Sequence, residues 1–296
     1  MKLLNPMTAV LAIVLPAAAQ YQPVTLFKVP NVNASTRANC YIGSDGTVTG
    51  HRLADGDPLE RGYALKNGVF ELLELVPGSG GMLITGIAGN DPIGVSLAPN
   101  TASPRKGVIW RNGIPTLLPT PPVSQPGSYS YFFPDAANYQ EWMVGRAVEV
   151  TTSGGVIVKP MILRNGTFTP LPAFPLPNAE LIAMNVRGDI LARALDFSLN
   201  PVRYRFYKAS LSGYEEFQIP GAYTVAGMDN TGRIAAITDQ GDYILYAGGE
   251  AKVLPGLLGA GTDLRSLNPK GQSCGLARTY NAIGDQIWFN FIIELR

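Results

Sequence analysis

One short pattern returns along this chain, and it constrains the fold more than any other feature. Its clearest copy runs from Leu181 to Leu191, LIAMNVRGDIL, with Asn185-x-x-Gly188 reading as a tight turn between two strands. The pattern recurs as VAGMDNTGRIA (225–235) and LRSLNPKGQSC (264–274), and a first copy, NCYIGSDGTVT (39–49), turns at Gly46. Four residues after the turn glycine stands a small residue: Gly50, Ala192, Ala236 and Gly275. Two less regular units carry theirs at Gly94 and Gly145, so the six markers are spaced 44, 51, 47, 44 and 39 residues apart. That interval is the length of one four-stranded blade, and a sheet of that size buries its faces only against copies of itself.

The second half of each unit carries its own signal. YALKNGVFELL (63–73), VIWRNGIPTLL (108–118) and MILRNGTFTPL (161–171) each place Asn-Gly between two apolar runs. A two-residue type I′ hairpin needs positive φ at both central positions, and Asn-Gly supplies them at least cost. The fourth and fifth units use Ser212-Gly213 and Gly248-Gly249 instead. The sixth unit runs out at Arg296 with no fourth strand of its own, while VTLFKVP (Val24–Pro30) stands alone near the start and reads like the outgoing strand of a unit. The expected fold is therefore all-β: a six-bladed β-propeller whose last blade is closed by the N-terminal strand, which removes an exposed edge. The Pro-rich stretch Pro119–Pro126 lies between two repeats and reads as a blade connection, leaving one domain over residues 20–296. Composition agrees, since 33 Gly and 24 Pro against 15% charged residues suit many short strands joined by turns.

These units resemble the extracellular HAF-type repeats of secreted bacterial proteins. SDGTVTG, NVRGDILA and NTGRIAA carry the Asn-x-x-Gly turn and following strand of that repeat, and WRNGIPTLL carries its second half. The opening YQPVTLFKVPNVNAS is similar to the start of such proteins, and the likeness spans nearly the whole mature chain. The His-Ala-Phe triplet itself is absent, replaced by segments such as Gly62-Tyr63-Ala64. The resemblance implies a propeller-like repeat fold and export, and it brings no catalytic residues with it.

Residues 1–19 read as a signal peptide: Lys2, an apolar run from Met7 to Leu15, then Ala17-Ala18-Ala19 at the cleavage site. The run is too short to span a bilayer, so a secreted, extracellular or periplasmic product without a membrane span is expected. Without Lys2 the chain holds 22 bases and 22 acids. A balanced chain has no basic footprint for phosphate neutralisation, which argues against nucleic acid as a partner.

Few residues offer chemistry. Gly271-Gln272-Ser273-Cys274-Gly275 matches the G-x-S-x-G of hydrolase nucleophiles, but both glycines are explained by the repeat and the one histidine, His51, precedes it. Asp55-Gly56-Asp57 and Asp229-Asn230-Thr231-Gly232 have calcium-like oxygens but no calcium-loop spacing, and both read better as turns. The sequons at Asn33 and Asn165 matter only in a glycosylating pathway. No cofactor or metal site is expected. Cys40 and Cys274 either pair across a closed ring or stand as two buried thiols.

Two features suggest a ligand. The cluster Tyr129-Ser130-Tyr131-Phe132-Phe133 falls outside the repeat pattern and reads either as a carbohydrate or peptide platform or as core. Alignment on the small markers places His51, Arg146 and Arg193 at one equivalent position, hence on one side of the ring. Three cations there would suit an acidic glycan or peptide, unless each pairs with a local acid such as Glu149 or Asp196. The reading is thus a secreted non-catalytic binding or scaffolding propeller with an unknown extracellular ligand. The alternatives are an extracellular glycan hydrolase or lyase with its site at the central channel, and a structural module for a cell surface or for self-assembly.

Overall fold

A computed structural model of the chain describes residues 25–28, 40–52, 59–99, 105–176, 178–254, 262–268, 270–280 and 286–294. Residues 1–19, expected as a signal peptide, Asn33 and Asp55–Asp57 lie outside them. The first strand, β1 (Thr25–Lys28), is set apart from those that follow it. Next come five antiparallel four-stranded meanders, each ordered as the chain runs. The first holds β2 (Tyr41–Ile42), β3 (Val48–Arg52), β4 (Arg61–Lys66) and β5 (Val69–Leu72), and the second β6 (Met82–Ala88), β7 (Asp91–Ser96), β8 (Lys106–Arg111) and β9 (Ile114–Leu117). The third holds β10 (Tyr129–Ala137), β11 (Met143–Val150), β12 (Val156–Arg164) and β13 (Thr167–Pro170). The fourth holds β14 (Glu180–Met184), β15 (Ile190–Asp196), β16 (Arg203–Ser210) and β17 (Gly213–Phe217), and the fifth β18 (Ala222–Met228), β19 (Ile234–Thr238), β20 (Tyr243–Ala247) and β21 (Glu250–Leu254). The chain ends with β22 (Thr262–Leu267), β23 (Gln272–Tyr280) and β24 (Gln286–Glu294), and β1 runs antiparallel to β24 with Thr25 opposite Ile292. The first strands of successive sheets are neighbours, from β2 to β6, β10, β14, β18 and β22, and β22 touches β2 again. The architecture is a β-propeller, with no helix among the described residues.

Burial follows from that arrangement. A lone sheet has no interior, so each apolar face finds water-free surface only on the next sheet. Ala136, Val144 and Ile162 of the third sheet meet Leu181, Ile190 and Tyr207 of the fourth, while Leu191 and Phe206 meet Val225, Ile234 and Ile244 of the fifth. Trp110 is fully buried between the first two sheets and donates its indole N–H to the Glu74 carbonyl at 2.8 Å. The fourth strands β5, β9 and β13 lie on the rim and are largely exposed. They are entered by the expected hairpins: Asn67, Asn112 and Asn165 have φ of 51, 51 and 50°, and the glycines after them are also positive.

The innermost strands depart from simple alternation. β6, β10, β14, β18 and β22 each carry an extra residue between paired neighbours, namely Thr85, Asp135, Ile182, Ala226 and Arg265, and β18 carries a second, Tyr223. At Gly145 of β11, an added Cβ would run into the Phe133 carbonyl across the ladder, so in the third sheet the small marker is a packing requirement.

The recurring turns link the sheets as well as the strands. Asn138 Oδ1 accepts the backbone N–H of Gln140 at 2.9 Å and of Trp142 at 3.1 Å, closing its own turn. Its Nδ2 donates to the Asn185 carbonyl of the next sheet at 3.0 Å, and Asn268 Nδ2 reaches the Gly43 carbonyl in the same way at 2.9 Å. Asp229 occupies this position in the fifth sheet; it keeps the turn bonds and takes Arg233 Nε at 2.6 Å instead. A side chain that is acceptor on one atom and donor on the other is needed for the double role. Asn138→Asp keeps the turn acceptor, loses the link and turns a buried carboxylate toward a carbonyl. It should therefore cost about 2–4 kcal/mol in denaturant unfolding; a loss under about 0.5 kcal/mol, the scale of ordinary surface changes, would mean the link carries no weight.

Candidate functional site

His51, Arg146 and Arg193 do occupy equivalent places, each just past its marker on the second strand of a sheet. None stands free for an acidic ligand. His51 is 5% exposed, and its Nδ1–H donates to the Ile84 carbonyl of the second sheet at 3.2 Å. Arg193 binds Glu180 Oε2 at 2.7 Å, reaches Thr224 Oγ1 and the Val225 carbonyl of the fifth sheet, and lies over the Tyr204 ring. Arg146 grips Asp135 with two bonds, 3.0 and 2.7 Å long, and covers the Phe133 ring. Ile84 and Val225 are themselves equivalent, each lying opposite a marker in its ladder. In two of the three cases the position fastens one sheet to the next.

The carboxylates expected to hold the arginines are elsewhere. Residues three apart on a strand point to opposite faces, so Arg146 cannot meet Glu149, nor Arg193 Asp196. Glu180 instead lies directly across the ladder from Arg193. Asp196 takes Ser198 and Arg205. Glu149 accepts Ser124 N–H at 2.9 Å, Ser124 Oγ–H at 2.8 Å and Gln125 N–H at 3.2 Å, which pins the Pro-rich connection. Ser273 lies fully buried within β23 and donates to the Ser266 carbonyl, so it stands on a strand and not on a nucleophile elbow.

The axial cavity is lined by the innermost strands, with Ile42, Thr85, Asp135, Ile182, Ala226 and Ser266 around it. Its volume is about 70 Å³. That is room for a few waters, well below the roughly 300 Å³ at which small-molecule sites begin. Asp135 is the one carboxylate among its described lining residues. Burial pushes its carboxyl up to about 6, against the opposing pull of Arg146, and Glu180 adds to the rise.

A larger space opens on the rim between the second and third sheets, with a volume of about 440 Å³. One wall is the Pro119–Ser128 connection, held by Glu149 and by the Ser130 hydroxyl bonded to the Pro121 carbonyl. The aromatic cluster divides here: Phe132 is fully buried core, Tyr131 and Phe133 are half-buried, and Tyr129 is 40% exposed. Arg105 and Lys106 stand exposed on the lip, with no carboxylate among the groove's lining residues and no ion pair to either cation among the described residues. Ser128 Oγ is buried in the groove wall without a hydrogen-bond partner. The sequence pointed at the tyrosines through their break from the repeat; the cations gave no signal, because Arg105 and Lys106 look like any surface pair until the fold sets them beside Tyr129.

No family model matches the chain, and no curated protein matches it. Among solved structures it is similar to a protein of unknown function from Dyadobacter fermentans, 13% identical over 92% of this chain and 99% of that one, with a TM-score of 0.54. It is also similar to the subtype N11 neuraminidase-like protein of A/flat-faced bat/Peru, 12% identical over 90% and 89% of the two chains at a TM-score of 0.48. The Cps50 (Swd1) beta-propeller domain of Myceliophteria thermophila is 10% identical over 85% and 82% at 0.38. At such identities the likeness concerns the fold alone.

The buried groups make stability depend on pH with opposite signs. Burial pushes the His51 imidazole below its ordinary value, against Glu60 and the Ile84 hydrogen bond. The unfolded chain therefore takes up the His51 proton first, and its contribution is lost as pH falls below about 6.5. Asp135, raised to about 6 from 3.8, favours the folded ring below about pH 4 and loses that contribution as pH rises through 6. His51→Gln should flatten the loss of thermal stability between pH 7 and 5, and Asp135→Asn should steepen it. Melting curves across that range test both, and parallel profiles for all three proteins would refute the assignment.

Proposed function

We propose that this chain is a secreted, non-catalytic binding propeller of six blades, with β1 completing the last blade, and that it takes an acidic glycan in the groove between the second and third blades. The observation that carries the reading is the composition of that groove: two cations with no carboxylate partner among the described residues and the exposed Tyr129 beside one space of about 440 Å³. A uronate-bearing oligosaccharide offers carboxylates to Arg105 and Lys106 and an apolar sugar face to Tyr129. Secretion rests on the leader-like residues 1–19, whose removal would leave Gln20 as the first residue of the exported protein.

The rival reading, a glycan hydrolase or lyase acting at the channel, draws on Asp135, a carboxyl that burial raises to about 6 beside an arginine. A cavity of about 70 Å³ weighs against it, since a pyranose ring does not fit there. Calorimetric titration with uronate and neutral oligosaccharides separates the two. Acidic chains should bind more tightly than neutral ones, and more weakly as salt rises. Arg105→Ala/Lys106→Ala should cost about tenfold in affinity, from two exposed charge contacts. New reducing ends or unsaturated products, abolished by Asp135→Asn, would favour the enzyme. Equal binding of acidic chains by the double variant would overturn the groove.

A further inference from the structure

The two cysteines meet where the ends of the chain meet. Cys40 immediately precedes β2 in the first sheet, and Cys274 lies on β23 of the last, 234 residues away. Their sulfurs face each other at 3.0 Å, and neither residue has exposed surface. Around them pack Ile42, Val48 and Leu65, with half-buried Phe70 and Ile292. The seam is set independently of the sulfurs, because Asn268 Nδ2 donates to the Gly43 carbonyl at 2.9 Å and the Ile42 N–H donates to Ser266 Oγ at 3.2 Å. A disulfide needs sulfurs at about 2.05 Å, so roughly one ångström separates this pair from bonding distance.

We propose that Cys40 and Cys274 form a disulfide that staples the first sheet to the last, and that it is made before the last sheet is seated. The bond removes two protons and two electrons from the pair. A small-molecule or protein disulfide accepts them by exchange: one cysteine thiolate attacks it and releases a thiolate, then the second cysteine attacks the mixed disulfide and releases the other. Both attacks require an outside sulfur to touch Cys40 or Cys274. The closed seam, with no surface on either, forbids that contact. Oxidation therefore belongs to folding, before the β22–β24 sheet seats against β2. Once made, the bond closes a loop of more than 200 residues and restricts the unfolded chain most strongly where the ring is joined. The inference does not depend on what the groove binds.

The test uses the full chain produced in two compartments. Protein from an oxidising periplasm, denatured without reductant and exposed to an alkylating reagent, should gain no alkyl group; after reduction it should gain two. Proteolysis should release the Cys40 and Cys274 peptides as one linked species. Protein made reduced in the cytosol should resist oxidised glutathione while folded and form the bond when unfolded and refolded with it. Reductant present during refolding should lower the melting temperature of wild type by about 10 °C and leave Cys40→Ala/Cys274→Ala unchanged. Two alkyl groups on unreduced periplasmic protein would overturn the bond, and rapid oxidation of the folded, reduced ring would overturn the order of events. The mass measurement on wild type decides the first point even where the alanine variant does not fold.

Discussion

A sheet of four strands with two apolar faces has no stable state alone, and the rest of this structure follows from how that debt is met. Among the described residues each interior layer is shared by two sheets: Trp110 fills one, Tyr207 another, and the neighbouring side chains of Cys40 and Cys274 a third. Stability is then a sum of interfaces between neighbours, so the ring depends on each seam, and above all on the seam where the two ends of the chain meet. The exposed outer strands β5, β9 and β13 pack least, and the groove beside Tyr129 opens along one of them.

Polar groups serve the same end. The turn asparagines at 138 and 268 close their own hairpins with one atom and hold the adjacent sheet with another, on the turn side of the ring. Near the other ends of the second strands, His51 and Arg193 reach carbonyls of the next sheet's innermost strand. Directional bonds at two heights fix the angle between sheets more tightly than apolar contact, which is indifferent to small rotations. Residues that look functional by type can thus be absorbed by the scaffold, and His51 is the plainest case.

The repeat, the strand-rich architecture and the hairpins were legible in the sequence because each rests on a local rule. Asn67-Gly68 and its equivalents adopt positive φ, and nothing beyond two residues is needed to foresee that. The partners of Arg146 and Arg193 were not legible. They depend on which residue lies across a ladder, and for Arg146 on Asp135 being itself the extra residue of a bulge. A bulge leaves no mark on an alternating pattern, since the alternation resumes on the far side of it. The groove was half legible: Tyr129 broke the repeat, whereas Arg105, Lys106 and the buried Ser128 acquire meaning only from the path of the Pro119–Ser128 wall.

Four of the innermost strands, β6, β10, β14 and β18, place an extra residue at the axis. Thr85, Asp135, Ile182 and Ala226 belong to no cross-strand pair, yet all four line the axis. A hydroxyl, a carboxyl, a branched alkyl group and a methyl already occupy the same place without disturbing the ladders around them. Change at these positions is uncoupled from the register that builds the sheets. The ring therefore carries a set of interchangeable sockets at its centre, where new chemistry can be tried one residue at a time while the architecture stays as it is.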